Sequence, residues 1–86
     1  MTRENIENEV LDIFTRLFEV ENPRMDVNLR EAYEFDSIDA IELLGEIEKM
    51  LDSELTRDEK KQAMEIRTIR QICDYVEGLA AVRGAQ

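Results

Sequence analysis

The sequence predicts an all-α fold: a four-helix bundle with three main helices and a shorter third helix. Three observations predict it. Apolar residues recur at spacings of three and four in three separate stretches, which is the period of a helix and not of a strand. No stretch alternates apolar and polar side chains, and there is no internal repeat or low-complexity run. Apolar residues make up 43% of the chain, yet only five are aromatic and none is Trp, so aliphatic side chains must fill the interior. A chain of 86 residues buries only about 60–65% of its unfolded surface, so the expectation is one domain over residues 1–86. Its core is expected over about residues 4–80, with a frayed tail over 81–86.

The first helix is read from Ile6, Val10, Ile13, Phe14, Leu17 and Phe18, one stripe between Asn5 and Val20. Pro23 disfavours helical geometry at Asn22, so the helix is expected to stop near there. A connector follows with Met25, Val27, Leu29, Tyr33 and Phe35 among charges, too apolar for a free linker and expected to fold back over the core. The second helix is expected to begin after Asp36 as cap, with Asp39 reaching back in a variant capping box, and to end near Leu51 or Asp52. A short third helix is read from Thr56 as cap over TRDEKKQAMEI. Thr68 caps the last one, whose stripe is Ile69, Ile72, Cys73, Val76 and Leu79, with Gly78 and Gly84 as fraying points. Cys73 and Met64 are expected in the core.

Charge narrows the function. With 21 acidic and 11 basic residues the net charge is −10, which repels nucleic acid phosphates and anionic headgroups and favours a basic protein partner. Residues 34–54 hold eight acids and one base, so the charge is concentrated on the second helix. The single Cys excludes an internal disulfide, and the absence of His removes the commonest metal ligand and general base, so no metal or catalytic residue is expected. A calcium loop begun at Asp36 lacks its glycine, and one begun at Asp52 has Ala63 where the bidentate Glu belongs. The polar N-terminus and the lack of any long apolar run imply a cytoplasmic protein without membrane insertion.

Projection of the second helix at about 100° per residue places Ala40, Leu43, Leu44, Ile47, Met50 and Leu51 on the core arc, with Asp39, Glu42 and Glu46 opposite. Ile38 and Ile41 fall outside the arc, where exposed aliphatic groups rimmed by acids form a docking surface. Ser37 stands in the first turn. Asp36 already supplies the cap, so the serine hydroxyl is free, and a phosphate ester on it would face the positive end of the helix dipole. With no His to activate it, Ser37 needs another protein to modify it.

The stretch DSIDAIELL, residues 36–44, resembles the D-S-[LI]-D-x-[VI]-E-L signature of acyl carrier proteins, whose serine bears a phosphopantetheine arm. IRTIRQICDYVEGL, residues 66–79, resembles the last helix of that family, and the resemblance spans roughly residues 4–80. It implies that Ser37 receives 4'-phosphopantetheine covalently from coenzyme A through a separate, magnesium-dependent phosphopantetheinyl transferase. It implies, too, that Asp36, Ile38, Asp39, Ile41 and Glu42 present a recognition surface to basic patches on acyl-transferring, condensing or ligase enzymes. The chain would then be no enzyme but a monomeric carrier of thioesters in fatty acid, polyketide or other specialised lipid biosynthesis. The alternative is an unmodified acidic helical module docking through the same face.

Three departures from the family pattern point to a specialised member. Glu34 stands where glycine is common, three residues before the serine. Gly45 replaces a bulky apolar residue, and is expected to leave room for an unusual acyl chain between the second and third helices. The stretch from Leu51 to Ile66 is longer than typical and basic at Arg57, Lys60 and Lys61.

Overall fold

The fold is seen in a computed structural model whose described residues are 1–84. Five α-helices follow one another: α1 Arg3–Arg16, α2 Leu29–Tyr33, α3 Ser37–Leu51, α4 Arg57–Gln62 and α5 Ile69–Val82. A 3-10 turn over Ala63–Glu65 joins α4 to the last loop, and no strand occurs among the described residues. The radius of gyration is 12.0 Å, as a single packed body of this length requires.

Local chemistry sets the boundaries. Asp36 accepts the Asp39 N–H at 2.9 Å, and Asp39 returns the bond to the Asp36 N–H at 3.0 Å, the reciprocal box expected at the start of α3. Asp52 in the left-handed region (φ 50°) ends α3, with Ser53 N–H on the Glu48 carbonyl and Asp52 N–H on that of Lys49, a Schellman motif. Thr56 with Glu59 and Thr68 with Gln71 form two further boxes, at the starts of α4 and α5. The caps expected from sequence at Asp36, Thr56 and Thr68 are all in place.

The core is one cluster. From α1 it takes Ile6, Val10, Ile13 and Phe14, and from α3 Leu43, Ile47 and Leu51. The α5 stripe Ile69, Ile72, Cys73, Val76 and Leu79 is buried in full, and Ala80 joins it. Burial of such side chains contributes about 1.5–3 kcal/mol each for the larger aliphatic ones. Cys73 is free and buried, and burial pushes its thiol up to about 11, so it is structural.

Several boundaries differ from the sequence reading. The first helix ends at Arg16, short of Val20, because Glu19 turns left-handed (φ 55°) and the Val20 N–H closes onto the Phe14 carbonyl. Phe18 thereby leaves the helical stripe and joins Phe14 and Phe35 in a cluster with ring centroids 5.1–5.6 Å apart. The connector contains a helix that sequence periodicity did not reveal: α2 has five residues, capped by Asn28 on the Glu31 N–H. The last helix passes through Gly78 without fraying and stops beyond Val82, where Gly84 takes φ 70°. Residues 85–86 of the expected frayed tail lie outside the described residues.

Met64 is not core: it is 75% exposed, since the 3-10 turn rotates it away from the stripe a continuous helix would give. Glu46 does not lie on the free acidic face, because its carboxylate bonds Arg16 of α1 at 3.1 Å and Lys49 at 3.1 Å.

α4 has no buried residue, so polar contacts hold it. The Tyr75 hydroxyl donates to the Glu59 carbonyl at 2.6 Å, and Arg83 near the end of α5 donates to the Glu59 carboxylate through Nη2 (2.6 Å) and Nη1 (2.8 Å). Arg83 also reaches the Ser53 hydroxyl and the Glu54 carbonyl. These bonds fix α4 and the 3-10 turn opposite the first half of α3, across a hollow described below.

Candidate functional site

α3 begins where the chain leaves α2, and the approach is tightly set. Glu34 takes φ 54°, its N–H bonding the Arg30 carbonyl, and the Phe35 N–H closes onto Leu29. The conformation a glycine would favour is thus adopted by a glutamate. Phe35 packs its ring on Phe14 and Phe18, which anchors the strand of chain immediately before Asp36.

Ser37 opens α3, exposed, and among the described residues its hydroxyl makes no hydrogen bond. The chain has one other serine, Ser53, and its hydroxyl accepts from Arg83 Nε at 2.9 Å. The two serines therefore differ in how their oxygens are held: Ser53 is engaged in a structural network, and the Ser37 hydroxyl has no partner among the described residues. Asp36 beside it is held below the usual carboxylate range, first by the N–H of Asp39. It stays ionised at neutral pH, so the entrance of α3 is an anionic collar around a neutral hydroxyl.

Ile38 and Ile41 are 67% and 70% exposed, and Asp36 and Glu42 are exposed with them. Asp39 is half-buried, its carboxylate held by the capping box. The five residues singled out around Ser37 thus occupy one continuous stretch at the head of α3, with two aliphatic groups among acids.

A cavity of about 310 Å³ lies behind this head. Ser37 stands on its lining, with Ala40, Ile41, Leu43, Leu44 and Ile47 of α3 on one wall and Lys60, Ala63, Met64, Ile66 and Arg67 on the other. Phe35, Leu29 and Arg30 line the α2 side. Gly45 is not on this lining, and a Cβ built on it would meet nothing within 4 Å, so the space between the helices does not come from Gly45. Sequence reasoning expected room between the second and third helices but ascribed it to Gly45, and it missed the cations Arg30 and Arg67 on the lining, because both lie in segments whose fold periodicity did not reveal.

A family model described as "Phosphopantetheine attachment site" matches residues 8–76, most of the chain, including all of α3 and the first half of α5. The chain belongs to that family. An "Acyl carrier protein" from Lactobacillus johnsonii is 27% identical over 79 residues, covering 90% of this chain and 95% of that protein. The resemblance read from DSIDAIELL and the helical order are both borne out. Members of this phosphopantetheine-binding family are carriers and not catalysts, and their group is 4'-phosphopantetheine held covalently on a serine. That group supplies a long flexible tether ending in a thiol, on which an acyl chain is held as a thioester. The residues present fit it: an exposed, unbonded hydroxyl stands at a helix start, beside an apolar cavity that can shelter part of what the tether carries. No helix among the described residues is long and apolar enough to cross a membrane.

Proposed function

We propose that this chain is an acyl carrier whose arm is attached at Ser37, and that it presents acyl thioesters to transferring, condensing or ligating enzymes. The observation that carries the reading is the contrast between its two serines: Ser37 offers a free, exposed hydroxyl on the rim of the cavity, and the Ser53 oxygen is bonded to Arg83. The chain's own role in attachment is to hold that hydroxyl out. With no His in the sequence to activate it, the base that takes the Ser37 proton belongs to a separate phosphopantetheinyl transferase, which joins Ser37 Oγ to phosphorus as the nucleotide portion of coenzyme A leaves.

Asp36, Ile38, Asp39, Ile41 and Glu42 form the face offered to that transferase and to the acyl-handling partners. The acids steer a basic patch into register, and the two isoleucines are the groups whose desolvation holds the complex. Each partner would therefore show a salt-dependent on-rate.

Incubation with coenzyme A and a broad-specificity transferase, read by intact mass, tests the proposal. One phosphopantetheinyl group is expected on the parent chain and on Ser53→Ala, and none on Ser37→Ala. A parent chain that stays folded and gains no mass returns the protein to the reading of an unmodified interaction module.

A further inference from the structure

From Thr56 to Glu65, through α4 and the 3-10 turn, no side chain is buried and none packs on the core cluster. The chain on either side is fixed. Leu55 is buried and its N–H donates to the Glu48 carboxylate at 2.8 Å, and Ile66 packs on the core ahead of the fully buried Ile69. The segment is a strap pinned at both ends, and no buried apolar group holds its middle.

Among the described residues, every hydrogen bond from this strap to an element distant in sequence ends on Glu59. The Tyr75 hydroxyl donates to its carbonyl, and Arg83 Nη2 and Nη1 donate to its two carboxylate oxygens at 2.6 and 2.8 Å. Arg83 and Glu59 are each only 16% exposed, so water screens the pair weakly and its charge-assisted bonds exceed those of a surface ion pair. Arg83 also holds the Ser53 hydroxyl and the Glu54 carbonyl, at the foot of the strap. The family match ends at residue 76, so this arginine lies beyond the stretch it covers.

We propose that α4 and the 3-10 turn open as a unit while the rest of the bundle stays folded, and that Arg83 is the latch that sets how often they do. Opening breaks the bonds to Glu59 and uncovers no core side chain, whereas unfolding the bundle exposes the buried stripes of α1, α3 and α5. The two events therefore differ in free energy and in the surface they expose. Lys60, Ala63 and Met64 form one wall of the cavity beside Ser37, so each opening removes that wall. A contact at the end of α5 thereby governs the cavity mouth, and it does so whether or not Ser37 carries an arm.

Amide hydrogen exchange of the unmodified full chain, read by NMR in rising sub-denaturing urea, tests this. The Lys60 N–H, bonded to the Thr56 carbonyl at 3.0 Å, reports the strap, and the N–H of the fully buried Val76 in α5 reports the bundle. In the parent chain Lys60 is expected to be protected, but less than Val76, with a weaker urea dependence because its opening exposes less surface. Arg83→Gln is expected to speed Lys60 exchange about tenfold, as the loss of charge-assisted hydrogen bonds requires. Ile6→Val, which thins the core on α1 away from the strap, weakens the closed and the open form alike. It is expected to speed Val76 exchange severalfold and to leave Lys60 unchanged.

Equal protection and equal urea dependence at Lys60 and Val76 mean that α4 opens only with the bundle, and overturn the proposal. So does a Lys60 amide with no protection in the parent chain, since a latch then holds nothing. Unchanged Lys60 exchange in Arg83→Gln removes Arg83 from the role. Should that variant not fold, the parent chain and Ile6→Val decide, and a Lys60 amide that speeds up in step with Val76 in Ile6→Val overturns the proposal as well.

Discussion

Glu34 holds a left-handed backbone, φ 54°, two residues before the helix cap that presents Ser37. A side chain there costs about 1 kcal/mol or more, and a glycine costs more in the unfolded chain, so Glu34→Gly is expected to stabilise the fold by roughly 0.5–1 kcal/mol net in urea unfolding. The sequence showed that glycine was missing; it could not show that glutamate would take a left-handed turn, because the four non-glycine residues that do so here, Glu19, Asn22, Glu34 and Asp52, follow no single residue type.

A second single-residue effect is set by pH. The Glu59 carboxyl is held down to about 2, chiefly by the Arg83 guanidinium and next by the Thr56 N–H. The folded form binds this proton more weakly than the unfolded chain, whose Glu titrates near 4.5. The contribution is therefore present above pH 4.5 and lost as pH falls toward 2. Glu59→Gln is expected to lower Tm at neutral pH and to flatten the loss of stability across that acid window, followed by thermal melts against pH. An unchanged slope would mean that the pairing with Arg83 is not maintained in solution.

The helices divide by how they are held. α1, α3 and α5 each bury one stripe, and those stripes were legible because burial on one face leaves a period of three and four in the sequence. Ile72→Ala in α5, at a site with no exposed surface, is expected to cost about 2–5 kcal/mol in chemical denaturation. Thr68→Ala, which removes the cap of the same helix, is expected to cost only about 1 kcal/mol. α2 and α4 are five and six residues long, too short for a period to register, and α4 buries nothing. Their positions come from contacts distant in sequence, Leu29 to Arg67 and Glu59 to Arg83, which no local pattern encodes. Met64 was misplaced for the same reason, since a 3-10 turn rotates side chains differently from an α-helix.

Taken whole, the molecule separates charge by face. The head of α3 gathers Asp36, Asp39 and Glu42 near Ile38 and Ile41, and the opposite wall of the cavity holds Lys60 and Arg67. That separation explains why the acidic surface was readable from composition and the lining of the cavity was not: a charge run lies in one helix, whereas the hollow is assembled from α2, α3, α4 and the loop before α5. Ser37 is the point where both faces meet, exposed to solvent on one side and bordering the apolar hollow on the other.

The most direct measurement is site mapping. Protein loaded by a permissive transferase is digested and sequenced by tandem mass spectrometry, and the phosphopantetheinyl group is expected on the peptide containing Ser37 and on that serine alone. Modification at Ser53, or none in protein that remains folded, would contradict the assignment of Ser37 as the anchor.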